Sequence, residues 1–142
     1  MIFHDPEFQG LAKIISGGQR GADQGGLYAA RDHQIQTGGW APKGFITREG
    51  RDPSLAVFGL LEHSSSSYNP RTVKNIQDSR GTVVIASNKA SPETALTITT
   101  CKNLGKPLLM LMVAEHSSLN LQMGSAAVVS ELQCNHETKV SY

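Results

Sequence analysis

The sequence predicts an α/β fold, a single domain with a mainly parallel, doubly wound sheet. Short apolar runs at residues 14–15, 82–86 and 108–113 alternate with segments that carry helix-start signals. Strands of a parallel sheet are buried on both faces, and they therefore occur as continuous apolar runs between helices. The 142 residues, of which 39% are hydrophobic and 18% charged, suffice for one domain (residues 1–142) with its own core.

The first half of the chain predicts one strand–helix unit followed by a loop-rich region. Residues 14–15 form the first buried strand, and the helix after it spans residues 22–33. Residues 34–37 are a weaker strand candidate. The stretch from there to Ser67 is dense in turn residues, and within it only residues 56–61 favour a short strand.

The second half predicts two helices with well-marked starts and two further strands. Asn69-Pro70 and Ser91-Pro92 each place a capping residue before a proline at the first helical position. The second of these helices ends at Gly105, a favourable C-terminal signal. The β-branched run at residues 82–86 is the clearest strand, and residues 108–113 are predicted to form a fully buried one.

Composition argues against several classes of function. The net charge of +1 does not indicate a basic surface for nucleic acid. The longest apolar run, residues 108–114, is too short to cross a bilayer, and residues 1–6 show no secretory leader pattern. Cys101 and Cys134 do not make a disulfide framework. We therefore expect a cytoplasmic protein whose partner is a small molecule, with no nucleic acid and no membrane.

The most informative segment is SGGQRGAD at residues 16–23, between the first strand and the first helix. Its glycines let the backbone turn sharply and approach a ligand closely. The first helical N–H groups lack intrahelical partners and carry the positive end of the helix dipole, which favours a phosphate. The candidate binding residues are Gly17, Gly18, Gln19, Arg20, Gly21, Ala22 and Asp23. The alternative is a tight turn without a ligand, in which Arg20 is solvated and Asp23 only complements the helix dipole.

A second polar loop and helix start follow the strand at residues 82–86. The candidates there are Ser87, Ser91 and Thr94. Ser91 and Thr94 also fit as helix caps, and a capped helix still presents N–H groups to an anion. Ligands of such sheets collect at the carboxyl ends of the strands. We therefore expect the two reversals to converge on one negatively charged ligand.

Further candidates come from the loop GGWAPKG at residues 38–44 and from the helix after Asn69. Gly39 and Trp40 lie in the loop, where the indole either stacks on a planar ligand or fills the core or a subunit contact. Lys43 offers a mobile point charge to an anion. Arg71 and Asn75 lie one helical turn apart on a polar side, where they either line the site or are exposed.

No catalytic or metal-ligating residues are predicted. The five histidines lack paired metal-ligand spacing, and Cys101 fits better as a small core residue than as a ligand. The chain contains no G-x-S-x-G elbow, no H-E-x-x-H pattern and no P-loop ending. The sequence therefore favours binding over catalysis.

Four blocks together resemble the molybdenum carrier proteins, a Rossmann-like family related to the lysine-decarboxylase-like nucleotide-binding proteins. The blocks are SGGQRGAD at 16–23, GGWAPKG at 38–44, RTVKNIQDS at 71–79 and SPETALT at 91–97, and the similarity covers residues 13–113. The resemblance implies a doubly wound Rossmann-like domain that holds and protects molybdenum cofactor without changing it. It also implies a homo-oligomer (dimer or tetramer), molybdoenzymes as recipients of the cofactor, and a place for Asp78 near the ligand.

Two alternatives to the carrier hypothesis remain. One is a nucleotide-derivative hydrolase of the phosphoribohydrolase kind, although residues 91–98 do not reproduce the Pro-Gly-Gly-x-Gly-Thr-x-x-Glu pattern of such relatives. The other is a sensor of small nucleotides. In either case the ligand is a nucleotide or phosphate. The tail at residues 115–142 is atypical, because it lacks the Asn-Val-Ala-Gly-Pro-Arg-type motif of the carriers.

Overall fold

The computed structural model describes residues 8–87, 91–113 and 126–134, the last of these and residues 8–10 as backbone only. Its elements in chain order are β1 (Phe8–Ile15), α1 (Ala22–Asp32), β2 (Gln36–Ala41), β3 (Ile46–Thr47), β4 (Gly50–Arg51), a 3-10 helix (Pro53–Phe58), β5 (Leu60–Glu62), α2 (Tyr68–Asp78), β6 (Thr82–Ala86), α3 (Pro92–Leu104), β7 (Leu108–Met112) and β8 (Ala126–Cys134).

Six strands form one sheet in the order β5-β2-β1-β8-β6-β7, while β3 and β4 form a separate two-stranded hairpin. β2 pairs in parallel with both β1 and β5, and β6 pairs in parallel with β7. β8 runs antiparallel to both β1 and β6, with Ile14 opposite Val129 and Val83 opposite Ala127. Five strands of this sheet therefore point the same way, which confirms the predicted mainly parallel α/β fold.

The core consists of two clusters that involve different helices. One contains Leu27 of α1 and Phe58 of the 3-10 helix, packed with Ala41, Leu55 and Leu60. The other joins Ile15 of β1 to Ile76 of α2 and Cys101 of α3. Cys101 is therefore the buried core residue that the sequence predicts.

Four predicted strands differ from the structure. The first, predicted at residues 14–15, is longer and begins at Phe8. The weak strand at residues 34–37 begins later, as Gln36–Ala41, because Gln34 adopts a left-handed φ of 58° in the turn after α1. Gly39 and Trp40 therefore lie in this strand and not in a loop as predicted. The segment at residues 56–61 is divided. Pro53 starts the 3-10 helix, which Gly59 ends with a φ of 75°, and only then does β5 begin.

The run at residues 108–113 is a strand over Leu108–Met112, but it is not fully buried. Leu109, Leu111 and Met112 are 44%, 45% and 47% exposed. β7 is the last strand of the sheet order, and an edge strand lacks a neighbour on one side. The continuous apolar pattern therefore predicted the strand correctly and its burial wrongly.

The sequence does not predict β8, because residues 115–142 show only the features of an atypical tail. Of that segment the structure describes only Ala126–Cys134, and the other residues of the predicted tail lie outside the described part. No helix among the described residues is long and apolar enough to cross a membrane.

Candidate anion-binding site

Both predicted chain reversals lie at the same edge of the sheet. β1 and β6 are each antiparallel to β8, so they are parallel to each other and their carboxyl ends share one edge. The loop before α1 follows β1, and the segment before α3 follows β6. Because one strand separates β1 from β6, their ends lie about 10 Å apart, two strand spacings. The two reversals therefore begin from strand ends that lie close together.

The glycine loop is held from inside by Ser16 and Asp23, both fully buried. The Ser16 hydroxyl donates to the Asp23 carbonyl at 3.0 Å and accepts the Gly18 N–H at 3.2 Å. The Gln19 N–H donates to Asp23 Oδ2 at 3.1 Å, and the Ser16 N–H donates to the Gly38 carbonyl at 3.0 Å. The first amides of the loop are therefore used to fix its shape and do not face a ligand.

The amides that follow are different. Gly21, with a φ of 94°, is the N-cap of α1, and no side chain caps the helix there. Hydrogen bonds resume with the Gln24 N–H to Gln19 and the Gly25 N–H to Gly21. Within the described structure the N–H groups of Gly21, Ala22 and Asp23 have no acceptor. Unpaired donors at a helix N-terminus attract an anion.

Beneath the loop Asp23 forms a buried ion pair with Arg71 of α2. Arg71 Nη1 lies 3.4 Å from Asp23 Oδ2, and the two side chains are 8% and 0% exposed. Burial raises the pKa of Asp23 to about 6, while the Arg71 charge and the amides of Gln19 and Gly17 oppose this rise. Asp23 Oδ1, Arg71 Nε and Gln19 Oε1 are buried without a hydrogen-bond partner among the described residues.

The guanidinium of Arg71 lies against the Cα of Gly17. A Cβ added at Gly17 would lie 1.5 Å from Arg71 Nη1, so only glycine leaves room for this cation. Arg71 is thus neither exposed nor at the loop surface; it supports the loop from below. The burial of Arg71 excludes the alternative in which it is exposed.

Asn75 is also fully buried, which excludes the exposed alternative. Its side-chain amide accepts the Trp40 N–H at 2.8 Å and donates to the Trp40 carbonyl at 3.0 Å, which ties α2 to β2. The Trp40 indole N–H donates to Asp78 Oδ2 at 2.9 Å, and Lys74 donates to the other oxygen at 3.0 Å. Trp40, Asn75 and Asp78 therefore form one connected group.

Gly39, Lys43, Ser87 and Ser91 belong to segments at the carboxyl edge, whereas Asp78 ends α2 shortly before β6 starts, towards the opposite edge of the sheet. Gly39, with a φ of 125°, packs against Ser16, where a Cβ would lie 2.4 Å from the Ser16 carbonyl oxygen. The Lys43 side chain is exposed. Ser91 caps α3, since its Oγ accepts the Thr94 N–H at 3.2 Å, and it also donates to the Thr94 hydroxyl at 2.8 Å. The capping role of Ser91 is thus confirmed, and Ser87 follows the end of β6.

The β3–β4 hairpin joins the two reversals, a feature that sequence reasoning missed. Arg20 Nη2 lies 3.0 Å from Glu49 Oε2, and Arg48 Nη2 lies 3.7 Å from Glu93 Oε1 at the start of α3. Gln19 Nε2 donates to the Ile46 carbonyl at 3.0 Å.

The one local sequence signal for this hairpin was the turn residue Gly50. Ser16 was also missed, although a small hydroxyl residue directly before two glycines could have suggested an internal acceptor.

Among the residues described, no group of three or more His, Cys, Asp or Glu side chains is placed to hold a metal ion. The donors at this edge are amides, guanidinium groups and hydroxyls, which suit oxyanions. The fold is that of a Rossmann-like α/β protein, and this edge is its candidate ligand-binding site.

The chain belongs to the circularly permutated YpsA SLOG family, whose sequence model matches residues 14–140. It is also similar to a crystal structure described as a putative molybdenum carrier protein from Syntrophus aciditrophicus SB, with 40% sequence identity and a TM-score of 0.69. That match covers 75% of this chain and 66% of the other, so this chain spans just under two thirds of the relative. The resemblance to the molybdenum carrier proteins is thereby confirmed. No curated protein matches the chain.

Proposed function

We propose that this protein binds and carries an anionic, phosphate-bearing cofactor, with molybdenum cofactor as the first choice. The observation that carries the proposal is the uncapped start of α1, where the amides of Gly21, Ala22 and Asp23 have no acceptor in the described structure. The loop before them is fixed by Ser16 and Asp23, so these donors are oriented before a ligand arrives. A preorganised site avoids the entropic cost of ordering its donors.

The residues at this edge fit the phosphate of such a cofactor. The amides of residues 21–23 would hold it, and Arg20 and Lys43 would add positive charge. The start of α3, with Ser87, Ser91 and Thr94, would contribute further donors, and Gly39 and Trp40 would form the wall. Asp23, Arg71, Asn75 and Asp78 would position these groups. When bound, the cofactor supplies a pterin and an oxo-metal that its own dithiolene holds, so the protein need not coordinate the metal.

The name of the solved relative supports the choice of cofactor, since it describes a molybdenum carrier. The carrier role, a homo-oligomeric state, a cytoplasmic location and delivery to molybdoenzymes belong to the same proposal. The exposed Leu109, Leu111 and Met112 on β7 support an oligomer, because exposed apolar patches often mark contact surfaces.

Titration of the ¹⁵N-labelled protein with inorganic phosphate, and then with molybdenum cofactor, tests the proposal by amide NMR. We expect the signals of Gly21, Ala22 and Asp23 to shift, and binding to weaken as salt is raised. Arg20→Ala should weaken binding about three- to tenfold, since one rim cation contributes on the order of 1 kcal/mol.

Arg80→Ala is the matched control. Arg80 is an exposed arginine between α2 and β6, at the opposite edge of the sheet, so its removal should leave binding unchanged. Shifts spread evenly over the molecule, or equal losses in both variants, would contradict the site. A nucleoside monophosphate should be bound without release of its base; base release would favour the hydrolase alternative instead.

A further inference from the structure

We propose that Glu49 is an internal competing anion of this site, which occupies Arg20 until a phosphate-bearing ligand displaces it. Glu49 would then select for ligands of high negative charge, because only these compete well with a carboxylate for the guanidinium. This inference rests on the proposed function, since it assumes that an anion binds beside Arg20.

The hairpin holds the carboxylate in place by its own hydrogen bonds. Thr47 is buried, its hydroxyl donates to the Gly50 carbonyl at 2.9 Å, and it accepts the Glu49 N–H at 3.2 Å. The Gln19 side chain ties the adjacent Ile46 carbonyl to the glycine loop at 3.0 Å. The backbone that carries Glu49 is thus fixed relative to the loop that carries Arg20.

The same hairpin makes a complementary pair at the second reversal. Arg48 lies 3.7 Å from Glu93, in the first turn of α3. The four side chains carry two positive and two negative charges, so the pairs are neutral as they stand. A ligand phosphate that binds Arg20 would displace Glu49 from the guanidinium. The displaced Glu49 carboxylate and the phosphate would then repel each other. The hairpin tip therefore responds to the charge of the ligand.

The Arg20–Glu49 pair is suited to exchange because it is half exposed, with side-chain exposures of 49% and 51%. Ion pairs in contact with water are weak and are screened by salt. A dianionic phosphate held at the start of α1, whose amides directly follow Arg20 in the chain, would gain donors that the Glu49 carboxylate does not contact in the described structure. The exchange is thus favourable for a phosphate and unfavourable for a weakly charged ligand.

A double-mutant cycle with inorganic phosphate as the probe tests the proposal. Binding constants are measured by amide NMR at low salt and pH 8 for the wild type, Glu49→Gln, Arg20→Ala and the double variant. We expect Glu49→Gln to tighten phosphate binding about three- to fivefold, within the usual range for one exposed pair. In the Arg20→Ala background the same substitution should change binding less than about 1.5-fold.

Asp32→Asn removes the same charge from the far end of α1, about 16 Å away along the helix, and should leave binding unchanged. An equal gain from Glu49→Gln with and without Arg20 would overturn the proposal, because it would show a general field effect. The proposal would also be overturned if Glu49→Gln alone did not tighten phosphate binding. If the double variant binds phosphate as weakly as Arg20→Ala alone, the proposal is supported. Absence of phosphate binding in every variant would overturn the proposed function together with this inference.

Discussion

Asp23 is the residue whose environment departs most from that of an ordinary aspartate. It is fully buried, it accepts the Gln19 N–H, and it faces Arg71 at a long 3.4 Å. A buried charge is stabilised only if its partners replace the lost water well. Here one carboxylate oxygen has no hydrogen-bond partner in the described structure, and the pKa accordingly rises to about 6.

This raised pKa predicts how stability depends on pH. The unfolded chain binds the proton with a pKa near 3.8 and the folded chain with one near 6, so the folded state holds more protons between these values. The contribution of Asp23 to stability is therefore greatest below about pH 4, and it falls by about 3 kcal/mol in all as the pH rises through 6 to above 7. The Asp23→Asn variant has no titrating group at this position and therefore lacks this dependence on pH.

Urea unfolding of both proteins at pH 4, 5, 6 and 7 measures the effect. The free energy of unfolding of the wild type minus that of Asp23→Asn should decrease over this range and level off near pH 7. Taking this difference also cancels the contributions of the other titrating groups, which both proteins share. A difference that is constant or increases with pH would show that Arg71 outweighs burial.

At the scale of elements, the glycine loop and α1 contain glycines with opposite requirements. Gly17 is in contact with the Arg71 guanidinium, whereas a Cβ at Gly25 in α1 would meet nothing within 4 Å. Gly17 is thus required by its neighbour, while Gly25 only costs α1 conformational entropy.

Two alanine substitutions separate these cases. Gly17→Ala should displace Arg71 and leave Asp23 unpaired, which should lower the free energy of unfolding by about 1–3 kcal/mol. Gly25→Ala should raise it by about 0.5–1 kcal/mol, since alanine is a better helix former. Chemical denaturation of the two variants gives both values. Equal effects would mean that Arg71 relocates freely, against the buried ion pair described here.

The helices could be predicted closely because their signals are local. One start was predicted wrongly: α2 begins at Tyr68 after the N-cap Ser67, so Asn69 does not cap it and Pro70 is not its first residue. Ser91 and Pro92 specify the start of α3, and Gly105, with a φ of 64°, specifies its end. The burial of β7 could not be predicted, since an apolar run is the same for an edge strand and a central one. Whether a strand has two neighbours depends on the order of the whole sheet, to which distant segments contribute.

In the candidate site, too, the local features could be predicted and the contacts between distant segments could not. The glycine pattern of residues 16–23 indicated the uncapped helix start, which needs only neighbouring residues. It could not indicate that Arg71 lies below the loop or that Glu49 reaches Arg20, because those contacts join elements far apart in the chain. The predicted roles of the site residues stay predictions until a ligand is titrated.

At the scale of the molecule, β8 connects two parallel sections, β5-β2-β1 and β6-β7. A chain that ends at residue 113 lacks this strand, so β1 and β6 each lose the backbone partner on one side and keep only β2 and β7. We expect this truncated chain to show no cooperative thermal transition by circular dichroism. A chain that ends at residue 134 keeps every described strand and should retain the transition. Cooperative unfolding of the shorter chain would mean that the two sections pair without β8.

The central position of β8 also bears on how the protein folds. Its pairings with β1 join residues that are far apart in sequence, and such contacts slow folding because a long loop must close first. Until β8 pairs, the edges of β1 and β6 that it covers are unpaired, and β8 of another copy can pair with them equally well. Strand exchange between copies is therefore the characteristic misassembly of this topology, and crowded refolding favours it.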